Sequence, residues 1–147
     1  MEEQLVVFRL GKEFYGISIA QVREIITEQN ATKLPRTPEF MTGIINIRGK
    51  IVPVVELAAR LGLNIEKADD RRIMIVETGG QEIGVIVDEV AEVLHLPESA
   101  IEEPLEISSD KREHIRGIGK ENNRLLILLE VGKLFSPEEL KEFKDAV

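Results

Sequence analysis

The sequence predicts a mainly β protein: two small five-stranded barrels made by internal duplication, followed by a short C-terminal α-helix. Three observations carry that prediction. Slid by 68 positions, Leu-Val-Val-Phe-Arg-Leu-Gly-Lys-Glu-Phe-Tyr-Gly (5–16) falls on Ile-Met-Ile-Val-Glu-Thr-Gly-Gly-Gln-Glu-Ile-Gly (73–84), and Val22, Glu24 and Ile25 fall on Val90, Glu92 and Val93. After a six-residue insertion the match resumes at a shift of 74, placing Gly43, Val54, Glu56 and Leu61 on Gly117, Leu128, Glu130 and Phe135, the mark of one supersecondary unit used twice. The units consist of short β-branched runs separated by turn residues, with too little chain in each for a sandwich, so a curled barrel that hides its edges is the expected solution.

Each copy opens with two apolar runs around a glycine turn, Gly11 in one and Gly79-Gly80 in the other, which is a hairpin signature. In copy one, strands are expected at 22–27, at 32–34, and in the pair 43–47 and 51–55. Pro53 cannot donate a ladder hydrogen bond, so its strand is expected to be an edge or bulged there. A short helical turn over 56–62 is stopped by Gly62, and its counterpart in copy two ends near Phe135. Ser136, Pro137 and Glu139 form a capping box for the final helix, with Phe135 and Leu140 spaced as a hydrophobic staple and Leu140, Phe143 and Val147 as its apolar stripe. The acidic, Pro-bearing stretch 96–112 reads as a solvated loop. Copy one is thus assigned to about 5–61 as the first barrel, copy two to about 73–135 as the second and 136–147 to the helix, all within one domain of 147 residues.

Composition narrows the function. Nineteen basic against 27 acidic residues leave a net charge of -8, opposite to the basic footprint that phosphate-backbone binding needs. The excess is uneven: residues 1–72 carry 11 basic and 10 acidic side chains, 73–147 carry 8 and 17, so the two halves face different surroundings. No Trp, one Tyr and five Phe, most of them in apolar runs, leave little for base stacking. With no cysteine, thiolate chemistry and disulfides are excluded. The acidic start lacks a secretory signal and no apolar run is long enough to span a bilayer, so a cytoplasmic protein is expected. The opening Met and the final helix that closes copy two favour a free-standing chain over a domain detached from a larger signalling protein.

Catalytic constellations are thin. His95 and His114 lack further ligands at a metal-binding spacing and read as structural. Glu56 and Glu130, at matching places, read as one structural task performed twice, ending a strand or capping a turn. Gly117-Ile-Gly119 lacks the rest of a phosphate-binding loop, and no nucleophile elbow is present. A small barrel enzyme using carboxylates such as Glu56 and Asp88 is the rival from another class. No cofactor or metal is expected. What stands out is the tip between the strands 43–47 and 51–55: copy one has Asn46-Ile-Arg-Gly-Lys50 where copy two has Lys120-Glu-Asn-Asn-Arg124, so the fold does not demand Arg48. That tip is either a solvated turn or, with Lys33 and Arg36 adding positive charge nearby and an edge beside it, a docking hook.

These residues resemble a known family, the CheW-like coupling proteins of bacterial chemotaxis. The likeness covers essentially the whole chain through Val-Phe-Arg-Leu-Gly-Lys-Glu-Phe-Tyr-Gly-Ile (7–17), Val-Arg-Glu-Ile (22–25), Thr-Pro-Glu-Phe (37–40), the block from Gly43 to Leu57 with its Asn-x-Arg-Gly core, and Gly-Val-Ile-Val-Asp (84–88). It implies SH3-like barrels around a shared apolar seam. It also implies a non-catalytic adaptor joining the cytoplasmic tip of chemoreceptors to the regulatory domain of the histidine kinase CheA, recruited to membrane receptor arrays through those partners. Val22, Glu24, Gly43, Asn46 and Arg48 fall in segments that the family uses for partner contact. Gly43 would admit a close partner backbone, Arg48 would offer a planar fork of donors, and Glu24 is expected to accept from Arg48 and aim it.

Overall fold

The computed structural model describes residues 1–103 and 114–147. Copy one contributes β1 (Glu2–Leu10), β2 (Glu13–Ser18), β3 (Val22–Thr27), β4 (Met41–Ile47), β5 (Lys50–Glu56) and the one-turn helix α1 (Leu57–Arg60). Copy two contributes β6 (Arg72–Thr78), β7 (Gln81–Val87), β8 (Glu89–Pro97), β9 (Ile101–Glu102), β10 (Ile115–Glu121) and β11 (Arg124–Leu129), and the chain ends in α2 (Pro137–Ala146). They make two curled sheets, one in the order β8-β1-β2-β11-β10-β9 and one in the order β3-β6-β7-β5-β4. Among the described residues neither sheet closes into a full ring by hydrogen bonding. The strand expected at 32–34 shrinks to a single bridge between Thr32 and Ile44, which brings the chain beyond β3 back to β4.

The expectation that each copy closes its own barrel is overturned. The opening hairpin of each copy is lodged in the other copy's sheet: β1 and β2 pair with β8 and β11, while β6 and β7 pair with β3 and β5. The exchange is symmetric to the residue. Val7 lies opposite Glu92 as Ile75 lies opposite Glu24, and Leu128 opposite Gly16 as Val54 opposite Gly84. Equivalent segments satisfy equivalent pairings equally well within or between copies, so a repeat in sequence does not say which will form.

This arrangement explains why the opening runs are apolar throughout rather than alternating, since each strand is buried on both faces. Leu5 and Val7 of β1 face a cluster inside the six-stranded sheet with Leu96, Leu126 and Leu128, whereas Val6, Phe8 and Leu10 face the seam between the sheets. Likewise Ile73 and Ile75 of β6 join Ile45, Val52, Val54 and Ile86 inside the five-stranded sheet, and Met74 and Val76 turn to the seam.

The final helix forms as its capping box predicts: the Ser136 hydroxyl accepts from the Glu139 N–H at 3.1 Å and the Glu139 carboxylate accepts from the Ser136 N–H at 2.8 Å. Phe143 is buried against Phe40 and Phe135, but Val147 is exposed and Ala146 completes the stripe instead. Leu96, assigned to the solvated loop, is a buried end of β8, and a 3-10 turn and β9 follow it. The rest of that expected loop, 104–112, lies outside the described residues. Pro53 sits in a strand that is paired with β4 from Lys50 to Val55 but with β7 only from Val54. Its missing donor therefore falls where the strand still has an open side, as the edge expectation requires in local form.

Candidate docking site at the mouth of the five-stranded barrel

The hairpin between β4 and β5 turns on Arg48 and Gly49, with φ of 50° and 86°, the geometry of a two-residue turn whose twist suits antiparallel strands. The Asn46 side-chain oxygen accepts from the Gly49 N–H at 2.8 Å and closes it. Across the mouth of the curled sheet, β3 carries a bulge between Val22 and Glu24. Val22 leans on the seam, while Glu24, opposite Ile75, shares the inward face with Ile26. There the Glu24 carboxylate takes both arms of the Arg48 guanidinium, at 2.5 and 3.0 Å. The hydrogen bond from Arg48 is the main influence on the Glu24 carboxyl and, with help from the Arg48 charge, holds it below the usual carboxylate range although burial pulls it the other way. The same pair raises Arg48 further above its ordinary value.

Two more ion pairs complete the rim. Lys50 Nζ reaches Glu82 on β7 at 3.0 Å, and Arg23, in the bulge, reaches Glu77 on β6 at 2.6 Å. Two of the three pairs are polarised with the cation outermost: Arg48 is 74% and Lys50 63% exposed, against 28% for Glu24 and 25% for Glu82, whereas Arg23 and Glu77 are about equally exposed.

Of the residues expected to meet a partner, the fold joins Glu24 to Arg48, with Asn46 setting the turn beneath them. Gly43 is not available. It is buried at φ 152°, and a Cβ there would collide with the Thr32 carbonyl, so its own chain fills the room assigned to a partner. Lys33 and Arg36 do not join the hook either. The bridge at Thr32 runs antiparallel to β4 and carries them away from the tip, and Arg36 lines a depression beside Glu142 and Asp145 of α2. Sequence reasoning missed Glu82, Glu77 and Arg23. The signal for Glu77 and Glu82 was the inward-face period of β6 and β7 extended one step beyond the apolar residues, usable only once those strands are known to belong to this sheet; Arg23, in the β3 bulge, had no such signal.

The other candidates are structural. Glu56 stands at the start of α1 without capping it, and its carboxylate accepts from the buried Arg71 at 2.5 Å. Glu130 precedes a 3-10 turn, also without a cap bond, so the two do not share one task with a capping role. Asp88 accepts from the Gly11 N–H at 2.8 Å and pins the first hairpin. Glu56 and Asp88 line one pocket, but each is already engaged. His95 is exposed and bonded to Gln4, and His114 is kept below the ordinary histidine value by burial and then by the Arg60 charge. Among the described residues no cluster could hold a metal ion, and no helix is long and apolar enough to cross a membrane.

A two-lobed β module that presents a preset arginine hook and an ion-pair rim, with its candidate catalytic carboxylates Glu56 and Asp88 already engaged in structural bonds, fits a protein-binding scaffold. The CheW-like domain model matches residues 4–139, and the chain belongs to that family, whose members are scaffold proteins rather than enzymes. It is 36% identical to a probable chemotaxis protein CheW of Rhizobium etli, over 94% of this chain and 90% of that one. It is also 36% identical to the chemotaxis protein CheW of Bacillus subtilis, over 92% and 88%. The crystal structure of the scaffolding protein TtCheW from Thermoanaerobacter tengcongensis superposes with a TM-score of 0.86 at 41% identity, covering 95% of this chain and 96% of that one.

Proposed function

We propose that this protein is a chemotaxis adaptor that couples the cytoplasmic tip of chemoreceptors to the regulatory domain of the histidine kinase CheA, and that it is drawn to membrane receptor arrays by those partners. Membership of the CheW-like family supports the class of function. The observation that carries the mode of binding is Arg48, set in a left-handed conformation at a turn tip and aimed outward by Glu24. A preoriented guanidinium loses less freedom on meeting a carboxylate or a row of carbonyls than a free one would. For the receptor tip, an apolar cleft between the lobes, lined by Tyr15, Leu61, Leu63, Ile115 and Ile127, offers the chemistry that a helical segment needs. Such a scaffold acts by contacting the partners differently in their different states, which shifts populations without chemistry.

The test is titration calorimetry of the protein against the CheA regulatory domain and the receptor tip. Wild type binds both. Arg48→Ala weakens one of them by about tenfold or more, the scale of an interfacial arginine anchor, and Glu24→Ala weakens the same one severalfold while the melting temperature moves by no more than about 2 °C. Failure of the folded wild type to bind either partner overturns the proposal, and a large loss of stability in Glu24→Ala overturns the aiming role.

A further inference from the structure

We propose that Lys50, held by Glu82, is a second specificity-determining cation beside Arg48, and that together they select a partner surface carrying carboxylates. The inference rests on reading this mouth as the docking surface for the kinase domain. Three observations carry it. Lys50 and Arg48 flank Gly49 on one turn, and each is tied to a carboxylate from a different strand, β7 for Lys50 and β3 for Arg48. Glu82 also makes a small contribution, after that of Glu24, to the field that stabilises the Arg48 charge. In both, the carboxylate lies inside and the cation outside. An approaching surface therefore meets ammonium and guanidinium first, although the four groups sum to zero charge. A partner carboxylate can share these donors without displacing the inner ones, because a guanidinium has five N–H groups and an ammonium three. A partner cation meets like charge at the rim, which excludes it.

Glu82 is then a positioning residue. Without it Lys50 is a free four-carbon chain that must be ordered on binding, although the mouth gains one unit of positive charge. Positioning and simple attraction thus predict opposite signs for the effect of Glu82→Gln.

The experiment measures affinity for the CheA regulatory domain at several salt concentrations, for wild type, Arg48→Ala, Lys50→Met, Glu82→Gln and the exchanged double variant Lys50→Glu with Glu82→Lys, with melting curves for each. Lys50→Met is expected to weaken binding about fivefold to tenfold and to flatten its salt dependence, as rim charges do. Glu82→Gln weakens it about twofold to threefold despite the added positive charge. The exchanged variant restores the ion pair with a carboxylate outermost, and binds at least as poorly as Lys50→Met. Wild-type affinity in the exchanged variant or in Lys50→Met, with Arg48→Ala still weak, overturns this inference and leaves the docking surface standing. Tighter binding by Glu82→Gln overturns the positioning role. Wild-type affinity in Arg48→Ala as well removes the docking reading beneath it.

Discussion

Arg48 occupies a backbone region that disfavours its side chain, and the equivalent hairpin of copy two shows what the fold would take by default. There the tip residues are Asn122 and Asn123, at φ 46° and 67°, the residue type that tolerates left-handed geometry because its short side chain bonds locally. Copy one keeps the turn but puts an arginine into it, so the outlier points to a task beyond folding. That much was legible in the sequence, because the two tips differ in residues while their flanking strands match. Gly43 was legible as special but misassigned, since a sequence does not say whose backbone will lie over a glycine. With Thr32 there, Gly43→Ala is expected to cost on the order of 2 kcal/mol or more of stability, from the positive φ and the collision together. Urea unfolding checks this. A variant of unchanged stability with impaired partner binding would return Gly43 to the interface.

Between elements, one buried tie is hidden from the sequence. Arg71 is buried at the entry to β6, and its guanidinium takes both oxygens of Glu28, just past β3, at 2.7 and 3.1 Å, and Glu56 at the end of β5. Nothing local marks it, because the three residues come from three segments. The final helix was legible because its capping box lies within four residues of chain, where pattern and contact coincide. The Arg71 hydrogen bond, followed by the charges of Arg71 and Lys67, holds Glu28 below its ordinary value even though burial pulls the other way. A carboxylate depressed on folding stabilises the protein fully above the usual carboxylate range and loses that contribution as pH falls through its folded value. Glu28→Gln is therefore expected to be less stable than wild type by about 1 kcal/mol at pH 7, a figure reduced for the exposed edge of the carboxylate. The gap should close as the pH drops below about 4. Urea titrations at pH 7, 5 and 3 measure it, and a gap independent of pH would show that Glu28 acts through packing alone.

On the scale of the whole molecule, the duplication was legible but the exchange of hairpins was not, and the exchange matters more for an adaptor. Because β1 and β2 complete one sheet while β3, β4 and β5 belong to the other, the chain crosses the seam between copies at both opening hairpins. Neither lobe contains all its strands without the other half of the sequence. The seam itself draws on both: Phe8, Tyr15 and Ile17 of copy one pack with Met74, Val76 and Val85 of copy two. A push at the Arg48 mouth therefore acts on a unit whose lobes share strands and core, which favours transmission of a partner's position as a rigid displacement over independent movement of two beads on a linker. The consequence for folding is direct. Residues 1–68 alone would leave β1 and β2 without β8 and β11, and β3 and β5 without β6 and β7, exposing open edges and half a core. Neither that half nor 69–147 is expected to melt cooperatively by circular dichroism or to give a dispersed amide spectrum. Mixed at equal concentration, the two are expected to recover the spectrum of the intact chain, since every interface between them is non-covalent. A cooperative transition in either half alone would mean that a copy can close its own barrel after all, and that the exchanged pairing is one of two arrangements open to the sequence.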